Sequence, residues 1–347
     1  MAKKAKLFPL QWYGWCLLLL CLGCQLAPTD GIESEVITAH PLSIEGLRER
    51  SYASTLVFEK SLTITEAHTA ELWSYKSDSL KIYALVNRPT TTPADEGFPI
   101  LIFGHGFHPN PPKYGVSNAT GKDWRPGDYY RGIPEAYAEK GFLVITPDYR
   151  GHNVSEGFPY TQTSFLATTY YAIDVLHLLS ALPTLKAGNL DDIYYVGHSM
   201  GGEVGLKMLL ATDQIKAASL WAPVSATIEE QALYYGNLYE ENGMGINSKK
   251  MAVFMVKMDS IINNLSPKLD LQKVEAILAI QDLETPLIIH HARGDLSVPY
   301  QWSESLVAKL YQCQKSFELY DYDTDNHLFD GANRVKAVER DLAFFEK

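Results

Sequence analysis

A nucleophile, a base and an orienting acid can be picked out of this chain by residue type and setting. Ser199 stands in Gly197-His198-Ser199-Met200-Gly201, directly after the apolar run 193–196 and directly before 200–211, which is rich in Leu, Met and Gly. A strand, a glycine-flanked serine and a helix in that order make a sharp turn that lifts the serine oxygen above the edge of a sheet. Gly197 and Gly201 give strand and helix room to approach, and the helix N-terminus favours negative charge nearby. These residues, with His198, are the candidate nucleophile elbow. A serine hydroxyl is a weak nucleophile, so it needs a base, and the base needs a partner that fixes its tautomer.

Asp295 is the candidate acid. It follows the strand-like run 287–290 in His290-His291-Ala292-Arg293-Gly294-Asp295. Asp321, Asp323 and Asp325 are rivals, but they crowd one loop and read as solvated acids. Of the 10 histidines only His327 lies downstream of Asp295, between a strand at 317–322 and a helix at 332–345, and it is the candidate base. The order serine, acid, histidine is the one this kind of sheet uses. Attack on a carbonyl also needs donors for the developing oxyanion. The Met200 N–H is one, and the Phe107 N–H, in Gly104-His105-Gly106-Phe107, is the other. His105 and His198 read as loop-packing residues, with His198 placed to shape the pocket. Tyr129, Tyr130, Tyr234, Tyr235 and Trp302 are candidates for an aromatic pocket, although core or lid packing suits any one of them better. His290 and His291 lack a third ligand at metal spacing, so the reading needs no metal and no cofactor.

The elements that must carry these residues alternate. A hairpin is expected from 70–75 and 80–86, and buried strands from 99–103, 142–145, 193–196, 217–221, 287–290 and 317–322. Helices are expected over 168–182, 200–211, 301–311 and 332–345. Alternation of this kind gives an α/β fold, a mostly parallel doubly wound sheet with helices on both faces. A Pro-, Gly- and Tyr-rich loop at 107–133 and a helical insertion at about 224–285 interrupt it. Ligands bind at the carboxyl ends of such strands, where the insertion would act as a lid. Asp148 and Arg150 are expected to hold their loop by a charge-assisted hydrogen bond. Cys313 is expected to be a small buried residue.

The first 23 residues read as a targeting segment. Lys3, Lys4 and Lys6 precede an apolar stretch that is dense from Trp12 to Gly23, shorter than the roughly 18–20 apolar residues of a spanning helix. Leu20-Cys21-Leu22-Gly23-Cys24 resembles a bacterial lipoprotein signal, which implies lipid on Cys24, with Cys21 standing where a leucine is usual. A plain secretory signal is the alternative. Residues 24–51 read as a tether, and one domain is expected over 52–347. The implied location is the cell envelope, with membrane contact only through the signal or a lipid.

With 46% hydrophobic and 20% charged residues the chain can bury a core, which excludes wholesale disorder. A net charge of −11 argues against a partner that tracks phosphates, so no nucleic-acid partner is expected. The segment Ala136–Gly151 (AYAEKGFLVITPDYRG), followed by GHSMGG, RGDLSVPYQ and DNHLF, resembles the α/β-hydrolases of the prolyl oligopeptidase-like and dienelactone hydrolase-like branches. That resemblance spans roughly 80–347 and implies Ser199, Asp295 and His327 as a triad. It differs in leaving no room for the β-propeller that usually precedes the peptidase domain. The expectation is a serine hydrolase acting on a small ester, with a prolyl oligopeptidase-like serine peptidase as the alternative. A non-catalytic binding protein on the same scaffold is the reading from another class.

Overall fold

The apolar runs of this chain are short and rich in β-branched and aromatic residues, the composition of strands covered on both faces. The computed structural model describes residues 39–108, 130, 132–157, 166–241, 268–329 and 331–347. Among these, nine strands form one sheet in the order β1-β2-β3-β5-β4-β6-β7-β8-β9. β1 (Val57–Ile64), β2 (His68–Ser77) and β3 (Leu80–Pro89) are antiparallel, and β3 meets β5 (Leu143–Asp148) antiparallel. From β5 onward the pairing is parallel through β4 (Phe98–Gly104), β6 (Gly188–His198), β7 (Ala217–Trp221), β8 (Leu287–Ala292) and β9 (Phe317–Tyr322). The α/β class expected from the sequence is the one observed.

Side-chain alternation divides the core in two. Ile100, Ile102, Leu143, Ile145 and Ile289 face one side, with α1 (Ile44–Glu49), α3 (Ala167–Ala181), α4 (Met200–Leu209) and α6 (Tyr300–Gln312). Leu101, Phe103, Val144, Val196 and Ile288 face the other, with α2 (Ile133–Ala138) and α7 (Ala332–Phe345). Successive strand residues point to opposite faces, so a continuously apolar strand demands helices on both.

Several expectations need correction. Residues 39–51 are not all tether: Leu42, Ile44 and Leu47 are buried in the main core, so the folded domain begins before residue 52. α1 is six residues long, capped by the Ser43 side chain, and too short for a helical period to repeat. The insertion at 224–285 is not an appendage separate from the core. α5 (Ile228–Glu241) is helical, but Leu269, Val274, Ile277, Ile280 and Leu283 are buried in the main core. Residues 242–267 lie outside the described residues, as do 1–38 and most of 107–133. β1 escapes the sequence reading because nearly all of it is exposed, and its pairing with β2 is interrupted by two register shifts. Cys313 is half-buried, not buried, at the end of α6.

Arg150 is held differently from expectation. Among the described residues its carboxylate partners are Asp174, at 2.7 Å, and Asp78, at 3.4 Å. Asp148 accepts from Asn153 instead, at 2.5 Å. Asp174 lies on α3, and nothing local in the sequence announces that α3 brings it under the end of β5.

A second buried carboxylate fixes α7. Asp341 accepts from the Tyr137 hydroxyl at 2.5 Å and from Trp221 Nε1 at 3.0 Å, and pairs with His290 Nε2 at 2.8 Å. All four residues are fully buried. Deleting this acceptor strands the Tyr137 hydroxyl and His290 Nε2 away from water, while Trp221 Nε1 keeps the Ser219 hydroxyl at 3.0 Å. Asp341→Ala is expected to lower stability by about 3–5 kcal/mol. Urea unfolding checks this, and a midpoint equal to wild type would overturn it.

Candidate active site

β6 ends at His198 and the chain turns at Ser199 into α4. Ser199 has φ 57° and ψ −119°, a backbone conformation that costs a residue with a side chain about 1–3 kcal/mol. Its neighbours hold it there. The Ser199 N–H donates to the Trp221 carbonyl at 2.9 Å, and its own carbonyl accepts from Gly202 at 2.9 Å and Val224 at 3.0 Å. A Cβ on Gly201 would lie 2.1 Å from the Gly104 carbonyl oxygen, and one on Gly197 would lie 2.5 Å from that of Gly201. Glycine at these positions is what lets α4 begin against the exits of β4 and β6.

Asp295 lies just past the end of β8 and is buried. Its Oδ1 accepts from Ser297 N–H at 2.8 Å and Val298 N–H at 3.1 Å. Its Oδ2 lies 2.6 Å from His327 Nδ1 and 3.4 Å from His291 Nε2. Burial alone would raise its pKa. The His291 and His327 imidazoles, together with the Val298 N–H, outweigh burial and hold the carboxyl far below the usual range. Because His327 meets the acid through Nδ1, its Nε2 is the nitrogen open to proton transfer. The His198 ring brings this imidazole to the elbow. His198 Nε2 lies 2.9 Å from the His327 carbonyl oxygen, and the two ring centroids are 4.4 Å apart. Among the described residues the Ser199 hydroxyl and the imidazole are not hydrogen-bonded, and contacts of this kind tighten in the reacting complex.

The loop after β4 lies against the serine. A Cβ on Gly106 would be 3.1 Å from Ser199 Cβ. The Gly106 N–H is committed to the Tyr130 hydroxyl, at 3.0 Å, so the next amide along the loop is that of Phe107. Met200 opens α4, and the first N–H groups of a helix have no partner within it.

Asp321, Asp323 and Asp325 are exposed, Asp321 pairs with Arg293, and among the described residues the carboxylate bonded to the imidazole is that of Asp295. His105 is a packing residue, its ring 4.2 Å from that of Tyr149. Tyr234, Tyr235 and Trp302 form an aromatic cluster with Val224 and Val298. That cluster stands beside the elbow, because the Val224 N–H is bonded to the Ser199 carbonyl. The Tyr234 hydroxyl also donates to the Leu296 carbonyl, at 2.6 Å, next to Asp295. Tyr129 lies outside the described residues. Sequence reasoning undervalued two groups. His291 sits four residues before Asp295, a spacing that could have marked it as a partner of the acid. Tyr130 carries no such signal.

The description "alpha/beta hydrolase fold" fits residues 100–246 by family comparison. The chain is 28% identical over 210 residues to the uncharacterised peptidase YtmA of Bacillus subtilis (strain 168), covering 59% of this chain and 72% of that protein. Among solved structures it is similar to the acylaminoacyl peptidase of Pyrococcus horikoshii, with a TM-score of 0.57 and 16% identity, over 81% of this chain. This chain spans only 42% of that peptidase. It is also similar to acetyl xylan esterase 1 of Thermoanaerobacterium sp. JW/SL YS485, with a TM-score of 0.57 and 15% identity, over 86% of this chain and 89% of the esterase.

The surroundings of Asp295 make a pH prediction. A carboxyl whose folded pKa is depressed adds stability above its unfolded value, about 3.9, and loses that stability as pH falls toward the folded value. Asp295→Asn is therefore expected to be less stable than wild type near pH 7, with the gap closing below about pH 4. Urea midpoints measured across that range check it, and a gap independent of pH would count against it.

Proposed function

From the α/β-hydrolase fold of this chain, we propose a serine hydrolase that cleaves carboxylic esters through an acyl-enzyme. The observation that carries the reading is His327 Nδ1 at 2.6 Å from the buried Asp295, with the His327 ring beside the Ser199 elbow. In this reading His327 Nε2 takes the Ser199 proton as the oxygen attacks the carbonyl carbon. Asp295 keeps the imidazole in one tautomer and stabilises its charged form. The Phe107 and Met200 N–H groups receive the oxyanion, each worth about 10²–10³ in rate. The alcohol leaves with the proton from His327. Water then attacks the acyl carbon, His327 again accepts a proton, and the carboxylic acid is released with Ser199 restored.

The match to acetyl xylan esterase 1 over nearly all of its length favours ester substrates. The likeness to YtmA favours a second reading, a serine peptidase with the same residues in the same roles. The aromatic cluster at Tyr234, Tyr235 and Trp302 suits an apolar group on either substrate. The basic and then apolar residues 1–23 support export, and Cys24 a lipid anchor. Cys24→Ala is expected to shift the protein from the membrane to the soluble fraction, and an unchanged distribution would remove the anchor from the reading.

A fluorophosphonate probe is expected to label wild type and to leave Ser199→Ala unlabelled. Ester turnover should fall about 10⁴-fold or more in that variant. Labelling that survives the substitution would reject Ser199, and a folded wild type that takes no label would make the protein a binder on a hydrolase scaffold. Relative kcat/KM on p-nitrophenyl esters and on short chromogenic peptides separates the two substrate readings.

A further inference from the structure

We propose that His198, together with Tyr130, is a positioning residue that ties the loop of the oxyanion donors to the backbone of the base. This rests on the serine hydrolase reading for its kinetic consequence. Three contacts build it. The Gly106 N–H donates to the Tyr130 oxygen at 3.0 Å, that hydroxyl lies 2.6 Å from His198 Nδ1, and His198 Nε2 lies 2.9 Å from the His327 carbonyl oxygen. His198 and Tyr130 are both buried.

The chemistry of the partners fixes the protons. An amide N–H only donates, so the Tyr130 oxygen accepts from Gly106. A carbonyl oxygen only accepts, so His198 Nε2 carries a hydrogen. In a neutral ring Nδ1 is then an acceptor, and the Tyr130 O–H fills it. Each hydrogen has one place, and the chain from Gly106 to His327 is satisfied along its length. Among the described residues the titratable groups facing the ring are Tyr130 and His327, with Asp295 and His291 further off. Burial, reinforced by the neighbouring His327, holds the His198 pKa well below its ordinary value, so the ring is neutral.

Neutrality and fixed geometry are both what the proposed reaction needs. His327 becomes an imidazolium with its ring centroid 4.4 Å from that of His198, and a charged His198 would oppose this. His327 also sits on a loop. Local turns shape it, with Leu328 N–H on Asn326 Oδ1 and Phe329 N–H on the Asn326 carbonyl. Among the described residues the His198 bond is the one that ties residue 327 itself to the elbow. Gly106, His198 and His327 belong to the exits of three different strands, so one ring sets the spacing between oxyanion donors, nucleophile and base. A displacement of about 1 Å among such groups costs on the order of 10²-fold in rate.

The test has one arm that does not need turnover. Nitrogen NMR of wild-type protein with labelled histidine is expected to show His198 neutral with its hydrogen on Nε2. A hydrogen on Nδ1 alone would overturn the proposal, even if the protein proved to be no hydrolase. In the kinetic arm, Tyr130→Phe and His198→Ala are expected to lower kcat about 10–100-fold with little change in KM, and to slow probe labelling to match. His198→Gln, whose amide can donate where Nε2 did, should recover part of the loss. Wild-type kcat in the first two variants, with or without a lower Tm, would overturn the proposal while leaving Ser199 labelling intact. Equal losses in His198→Gln and His198→Ala would overturn the Nε2 contact as its basis. A folded wild type that takes no label defeats the hydrolase reading instead, and the tautomer still decides the contact.

Discussion

Ser199 has a backbone that its own side chain opposes, and the elbow exists only because its neighbours overrule that preference. A cost of about 1–3 kcal/mol at one residue is a sizeable share of a domain's net stability. It is offset by backbone bonds to Trp221, Gly202 and Val224, which are offered by the ends of β7 and α4. Those ends are where they are because β6 and β7 run parallel in register, Gly197 opposite Leu220 and His198 opposite Trp221. Any change that slides β7 along β6 would release the elbow before it disturbed much of the core.

The same parallel register gathers the rest of the candidate site. β4, β6, β8 and β9 release their chains at one edge of the sheet, and the loop beyond each contributes one group: Phe107, Ser199, Asp295 and His327. Those loops carry polar residues close to buried apolar ones, and the arrangement stands because the polar atoms are paired. Asp295 shows the balance. Burial works against its charge, and two backbone amides with two imidazoles reverse the outcome.

How much of this was legible in the sequence follows from the range of each interaction. The central strands and the elbow are local patterns, continuous apolar runs and a glycine-flanked serine, and they were readable. Asp295 and His327 were readable because each follows a strand, and because His327 has no competitor downstream. Arg150 was assigned the wrong carboxylate because its real partner, Asp174, is brought by a helix 24 positions away. β1 and α1 were missed for opposite reasons. β1 is exposed on both faces and shows no alternation, while α1 is too short to show a period yet supplies Leu47 to the core. The sequence offers Tyr130 only as one of several pocket aromatics, and the composition of its loop says nothing about which side chain returns to the elbow.

The outer border of the sheet has its own consequence. Among the described residues β1 is the solvent-facing edge strand of the sheet, and an edge of this kind would offer a template for growth by neighbouring chains if it were flat. Its two irregularities, between Phe58 and Lys60 and between Ser61 and Thr63, bend it out of plane, and Lys60 places a charge between them. Crowded copies of the protein thus meet a border that resists zippering into fibrils, although Phe58 and Ile64 stand bare upon it.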